Sequence, residues 1–344
     1  MKISEFKYNL PKEKIAQFPP EKRGTTNLLI LDRKKKGIVH RKYFNIPEYI
    51  KEDDLVVLNE TQVINSRTYF NTLRGKQVEV LFLEKRNEKV WFSLIGRARN
   101  VRDGDILKCE DIHIRVGERE ENGFLVEFVK GDAETLFRKH GHTPLPPYMN
   151  REDNKEDRKR YNTVFSTIPG AVAAPTASLN LTEEILGEIE KKGAQIAKIE
   201  LKVGWGTFAP IREENIEEHN IHKEYMNINL EVAEKINECK GRVWVFGTTV
   251  ARALESAYSD DTKDIRSYSG FTDLYIYPGY EWKVVDVLVT NFHMPDSSLI
   301  LLVSSFAGKE NIHSAYQEAI RKGYKFLSYG DSMLIGDNLI EGEQ

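Results

Sequence analysis

The chain is short of cysteine: Cys109 and Cys239 are the only two in 344 residues. They are too few and too isolated for a disulfide framework or a zinc site. An excess of one charge is missing as well, since 50 Lys and Arg stand against 53 Asp and Glu, a formal net charge of −3. Bulk charge therefore cannot coat nucleic acid, although a local basic face can still bind RNA. No run reaches the roughly 18 apolar residues of a membrane span; the longest, around "LILLV" (299–303), is of strand length. The amino terminus, "MKISEFKYNLP", lacks the apolar core of a signal peptide. A cytoplasmic protein with no membrane partner is expected. The sequence also holds no internal repeat, Walker loop or GxGxxG, which argues against a classical dinucleotide or methyltransferase fingerprint. His219 and His222 in "EEHNIHKE" have metal-pair spacing but no third ligand pattern, so no metal is expected.

What is present is a folded composition, 40% hydrophobic and 30% charged. The length suggests two domains, or one with a large insertion. "NLLILDRKKKGIVHRKYF" reads as a hairpin around a basic turn, and "DDLVVLNET" as a buried strand. From Val63 to Val129 the period is close to two, giving about six short strands without a helix, as in a small antiparallel barrel or sandwich. The helix "DAETLFRKHG" follows, with Gly141 read as its C′ residue. Beyond about residue 160, helices and strands alternate; "TEEILGEIEKKGAQIAKIELKV" has Thr182 as N-cap and Gly193 at its helix end. The expected fold is a discontinuous mixed α/β domain, 1–62 and 150–344, with a small antiparallel β-barrel inserted at 63–149.

Four stretches can carry chemistry. In "GAVAAPTASLN", small residues around Pro175 let backbone approach a ligand, and Thr176 and Ser178 offer hydroxyls; tight packing would use the same residues. In "KVGWGTFAP", Gly204 and Gly206 flank Trp205, whose face either stacks on a base or fills a core. In "VFGTTVARALE", a strand runs through Gly247 into a helix beginning at Thr248 and Thr249, an arrangement that binds a carboxylate or phosphate, or is simply N-capped. "TNFHMPDSS" ends an apolar strand with Asn291, His293 and Asp296 around a proline turn, either an ordinary loop or one wall of an active site. The basic runs at 32–37 and 151–161 are solvated charge, or phosphate contacts if the substrate is RNA.

Taken in order, these stretches closely resemble the S-adenosylmethionine:tRNA ribosyltransferase-isomerases of queuosine biosynthesis, the QueA family. The match runs from "YNLPKEKIAQFP" through "LVVLNETQVINSR", "HGHTPLPPYMNRED", "RYNTVFSTIPGAVAAPTA", "VGWGTFAPI", "EEHNIHKEY" and "FGTTVARALES". It ends with "VVDVLVTNFHMPDSSLILLVSSFAG" and "YKFLSYGDSMLI". The resemblance implies transfer of the ribosyl part of S-adenosylmethionine onto 7-aminomethyl-7-deazaguanine at the wobble position of a tRNA with a GUN anticodon. Rearrangement then gives epoxyqueuosine, with adenine and methionine released. S-adenosylmethionine is on this reading a consumed substrate, and no separate cofactor or metal is implied.

The implied chemistry assigns roles within the matched blocks. His293 suits proton transfer because an imidazole near pKa ~6.5 serves either direction at neutral pH. Asp331 and Glu255 are carboxylate candidates for a base or for holding a cationic amine. Thr248, Thr249 and Arg252 are placed to take the methionine carboxylate, and Trp205 or Tyr161 to stack on a base. Asn59, Thr61, Arg67, Pro175, Thr176, Gly206, Thr207, Asn291 and Tyr329 complete the expected substrate contacts. This chain departs from the usual pattern at Glu60, Ser178, Asn180 and Lys202, the last two standing where the family has histidines. Two rival readings are an RNA-binding S-adenosylmethionine methyltransferase and a non-catalytic tRNA-binding protein. The first needs a glycine-rich loop after a first parallel strand; the second has no need of the "TNFHMP" and "YGD" blocks.

Overall fold

A computed structural model describes residues 1–120, 122–204, 206 and 210–340. The first apolar alternation forms the hairpin of β1 (Asn27–Asp32) and β2 (Ile38–Lys42). Asp32 closes its turn by accepting the Lys34 and Lys35 amides at 3.1 and 2.9 Å. The continuous apolar run of β3 (Leu55–Asn59) is buried at every position, as expected of a strand covered on both faces.

The period-two segment closes into a six-stranded antiparallel barrel. Its strands are β4 (Arg67–Thr72), β5 (Gln77–Lys85), β6 (Val90–Ile95), β7 (Ile106–Cys109), β8 (Ile112–Glu120) and β9 (Gly123–Lys130). Around the barrel the order is β9-β6-β5-β4-β7-β8. Inward-facing Phe70, Val80, Phe82, Ile114 and Val126 share a core with Leu136 of helix α1 (Ala133–His140). Gly141 ends that helix differently from the expected left-handed cap, with φ −75°. Its glycine requirement is one of space: a Cβ there would lie 2.1 Å from the Asn65 carbonyl oxygen and 2.3 Å from that of Phe137.

The chain then runs through α2 (Lys155–Arg160), α3 (Glu183–Lys191), β10 (Gln195–Lys202), β11 (Glu224–Ile228), α4 (Leu230–Asn237) and β12 (Val243–Phe246). Next come α5 (Thr248–Ala257), β13 (Tyr268–Thr272), β14 (Val287–Asn291), α6 (Ser298–Ala307), α7 (Lys309–Arg321) and β15 (Ser332–Gly336). Thr182 caps α3 by accepting the Ile185 amide at 3.2 Å, and Gly193 beyond it has φ +89°. One nine-stranded mixed sheet results, ordered β13-β11-β10-β3-β12-β14-β15-β1-β2. On one face Val56, Leu58, Trp244, Phe246, Val289 and Leu334 pack against Ile185 and Ile189, the apolar stripe of α3.

The chain divides into two compact units, one of Met1–Gln62, Asn162–Ile168 and Ala174–Gln344, the other of Val63–Tyr161 with Pro169–Ala173. The second is larger than the expected 63–149 insertion. Residues 150–161 stay with it because Asp153 lies 2.6 Å from His142 Nδ1 and accepts the Thr143 amide at 2.9 Å. Ala171 joins it by accepting the Ile64 amide at 3.1 Å.

Candidate active site at the strand carboxyl ends

In the sheet unit, β10, β3, β12 and β14 run parallel, so their carboxyl ends share one edge. β15 is antiparallel to β14, and β1 parallel to β15, so the amino ends of both lie along that same edge. Ligands of open α/β sheets bind at such an edge. Lys202, Gly247, Asn291 and Asp331 all stand at it.

A narrow cleft opens beside the end of β12. Its chemistry begins with Gly247, held at φ +106° by the strand-to-helix turn and donating its N–H to the Val289 carbonyl at 2.8 Å. Among the described residues no side chain caps α5, so its first-turn amides, beside Thr248 and Thr249, are left with the positive end of the helix dipole. By contrast α6, whose Ser298 also lines the cleft, is capped by the Ser297 hydroxyl. One turn into α5, the Arg252 guanidinium donates to Glu224. The other Glu224 oxygen accepts the Gly204 amide at 3.0 Å. Arg252 and Glu224 are 7% and 3% exposed, a buried ion pair with a hydrogen-bonded anchor. Ile221, Ile276, Leu299 and Leu302 form the apolar lining, and Gly206 also lines the cleft.

The remaining described candidates fall outside this cleft. Glu255 is saturated: Oε2 accepts from Tyr280 Oη and the Lys283 amide, both at 3.0 Å, and Oε1 accepts the Val284 and Val285 amides at 3.0 and 3.1 Å. It braces the 280–285 loop and has no face left for a substrate proton. Asp331 accepts the Asn27 amide at 2.6 Å and the Lys325 amide at 2.7 Å, tying the start of β1 to the loop before β15. Burial pushes its carboxyl above the ordinary range, against the hydrogen bonds that lower it.

His293 is buried, at 8% exposure. Its Nε2 lies 2.8 Å from Thr290 Oγ1, its amide donates to Tyr316 Oη at 3.0 Å, and its carbonyl accepts the Tyr8 hydroxyl. Burial pushes the imidazole down to about 3, so at neutral pH the ring is uncharged. The expected proton carrier is thus held neutral, with Nε2 beside the Thr290 hydroxyl.

Asn59 and Thr61 form a closed clip with β10. Asn59 Nδ2 and Thr61 Oγ1 both donate to the Leu201 carbonyl at 2.9 Å, and Asn59 Oδ1 accepts the Leu201 amide at 3.1 Å. Asn291 keeps open capacity: its Oδ1 is buried without a hydrogen-bond partner among the described residues. Ser332, opposite it in the β14–β15 register, has an Oγ equally without a partner among the described residues. Pro175 and Thr176 open a short 3-10 turn that packs on β14. Tyr329 is buried just before Asp331. Arg67 and Tyr161 belong to the barrel unit, where Arg67 donates to the Leu145 carbonyl at 3.0 Å and Tyr161 follows α2. Trp205 and Thr207 lie outside the described residues.

Glu224 was not singled out among the sequence candidates. Its signal was present in β11, where alternate residues Glu224, Met226 and Ile228 are buried. A carboxylate at the apolar parity of a strand demands a partner, and Arg252 supplies it. His219 pairs with Glu213 at 3.0 Å. Among the described residues, no three His, Cys, Asp or Glu side chains group as a metal site, and no helix is long and apolar enough to cross a membrane. At the departures, Lys202 lies 3.4 Å from Glu200 and 5.0 Å over the Tyr225 ring, while Glu60 accepts the Thr167 hydroxyl at 2.8 Å.

An uncapped helix start, a buried ion pair and an apolar lining at the strand ends define an α/β enzyme that carries an inserted antiparallel barrel. The chain belongs to the queuosine biosynthesis protein family, whose model matches residues 3–335. It is similar to the S-adenosylmethionine:tRNA ribosyltransferase-isomerase of Chlorobaculum parvum, 45% identical over 341 residues that cover 97% of this chain and 100% of that protein. The protein of the same name from Aquifex aeolicus is 45% identical over 340 residues, with 97% and 100% covered. The crystal structure of S-adenosylmethionine tRNA ribosyltransferase from Thermotoga maritima matches with a TM-score of 0.55 and 34% identity, covering 96% of this chain and 99% of that one.

Proposed function

We propose that this chain transfers the ribosyl moiety of S-adenosylmethionine to 7-aminomethyl-7-deazaguanine at the wobble position of a GUN-anticodon tRNA and isomerises it to epoxyqueuosine, releasing adenine and methionine. The observation that carries this reading is the family match over residues 3–335. The cleft fits one demand of the reaction: the methionine carboxylate needs positive charge or free N–H groups, and Thr248, Thr249 and Arg252 provide both.

On this reading His293, Asp331 and Glu255 hold the strand-end loops in place. S-adenosylmethionine is consumed as a substrate, with no resident cofactor or metal, and the reaction takes place in the cytoplasm. The test labels the methyl and ribosyl carbons of S-adenosylmethionine separately and follows each into tRNA. Ribosyl label in the tRNA is expected, with adenine released only when the aminomethyl base is present and undiminished by a chelator. Methyl label in tRNA would make the protein a methyltransferase, and no label in tRNA would leave a binding protein.

A further inference from the structure

The same cleft carries opposite charges on two buried side chains. The guanidinium of Arg252 stands one turn above an uncapped helix start, and the Glu224 carboxylate stands against it, anchored through the Gly204 amide. A simple anion drawn to the α5 amides meets Glu224 in the same lining. A simple cation drawn to Glu224 meets Arg252 and the positive end of the dipole. A ligand that bears both charged groups on one carbon satisfies the two together.

We propose that this cleft is a clamp for an L-α-amino-acid zwitterion, with Glu224 binding the ammonium while Arg252 and the first amides of α5 bind the carboxylate. Ile221, Ile276, Leu299 and Leu302 line the rest of the cleft and suit an unbranched apolar side chain such as a thioether. Within the ribosyl-transfer reading, on which this inference rests for its substrate, the ligand is the methionine end of S-adenosylmethionine, and Glu224 becomes a specificity residue. The released methionine keeps both charged groups, so it remains a ligand of the clamp and competes with the next S-adenosylmethionine.

The test is calorimetric titration of the full chain, without tRNA, using S-adenosylmethionine, L-methionine and two truncated probes. 4-(Methylthio)butanoate lacks the ammonium and 3-(methylthio)propylamine lacks the carboxylate. L-methionine should bind and compete with S-adenosylmethionine. Each truncated probe should bind ~10-fold or more weakly, the scale of one charge-assisted hydrogen bond. Glu224→Gln retains an acceptor for the Gly204 amide but removes the charge. It should weaken L-methionine ~10-fold while binding 4-(methylthio)butanoate at least as tightly as wild type, a reversal that a merely structural role for Glu224 does not produce.

A truncated probe within about threefold of L-methionine on the wild-type protein would overturn the clamp, whatever the variant does. Binding of S-adenosylmethionine with no competition by L-methionine would also overturn it, leaving the reaction reading intact. Selective L-methionine binding without S-adenosylmethionine binding would support the clamp and overturn the reaction reading instead.

Discussion

Replacing Glu255 by Gln separates two uses of one carboxylate. Glu255 is 4% exposed and accepts four hydrogen bonds, two on each oxygen. The best-placed glutamine keeps its carbonyl on the Val284 and Val285 amides and turns its NH2 toward Tyr280. The tyrosine hydroxyl can rotate to accept, but the Lys283 amide cannot, so one charge-assisted bond is lost and two donors face each other. One such bond is worth roughly 1.5–3 kcal/mol. At about 2–4 °C per kcal/mol for a domain of this size, Glu255→Gln should lower the melting temperature by ~3–12 °C. Glu255→Ala strands all four donors and should cost more, ~3–5 kcal/mol, the scale of breaking a buried charged network. The assay pairs thermal unfolding with tRNA-dependent adenine release measured well below the melting range. Both variants should then turn over near the wild-type rate. A Gln variant that melts with wild type but loses ~10²-fold in turnover, the scale of a positioned acid–base group, would refute the structural account and make Glu255 a proton carrier.

Two further outcomes follow from packing and charge. Burial holds His293 at about 3 in the folded chain, below the ~6.5 of an exposed imidazole, so the unfolded chain takes the proton first. Its contribution is complete above about pH 6.5 and is lost as pH falls toward 3, at ~1.4 kcal/mol per pH unit; His293→Gln should remove that slope from urea unfolding between about pH 6.5 and 4, and an unchanged slope would count against a buried ring. Gly141→Ala should destabilise the barrel unit by ~1–3 kcal/mol, because a methyl group must displace the Asn65 and Phe137 carbonyls; wild-type melting of that variant would show the helix end free to move.

The parts of this protein legible in the sequence are those set by local rules. The period-two run after Val63 became a closed barrel, and the Thr182 cap and the β1–β2 hairpin formed from residues within a few positions of each other. The strand–glycine–helix turn before α5 was readable in "FGTTVAR", because a strand, a glycine and a helix are all short-range signals; whether a threonine caps the helix was not, and none of the described residues does. The matching blocks along the chain pointed to the family.

Tertiary structure decided what each ionisable group does, because a side chain's state depends on the neighbours that folding brings to it. Nothing near Glu255 in sequence announces the four donors at 280–285, and nothing around His293 announces the two tyrosines, from residues 8 and 316, that hold its backbone. Both residues have the types a proton-transfer site needs; four accepted hydrogen bonds commit Glu255 to the 280–285 loop, and burial keeps His293 uncharged. Glu224 went the opposite way: it sits in an ordinary alternating strand and acquires its chemistry from Arg252, 28 residues away along the chain. Residue type and spacing decide which elements form and which edge of the sheet gathers polar groups. Which of those groups remains open to a ligand is a matter of partners and solvent, and only the folded chain supplies both.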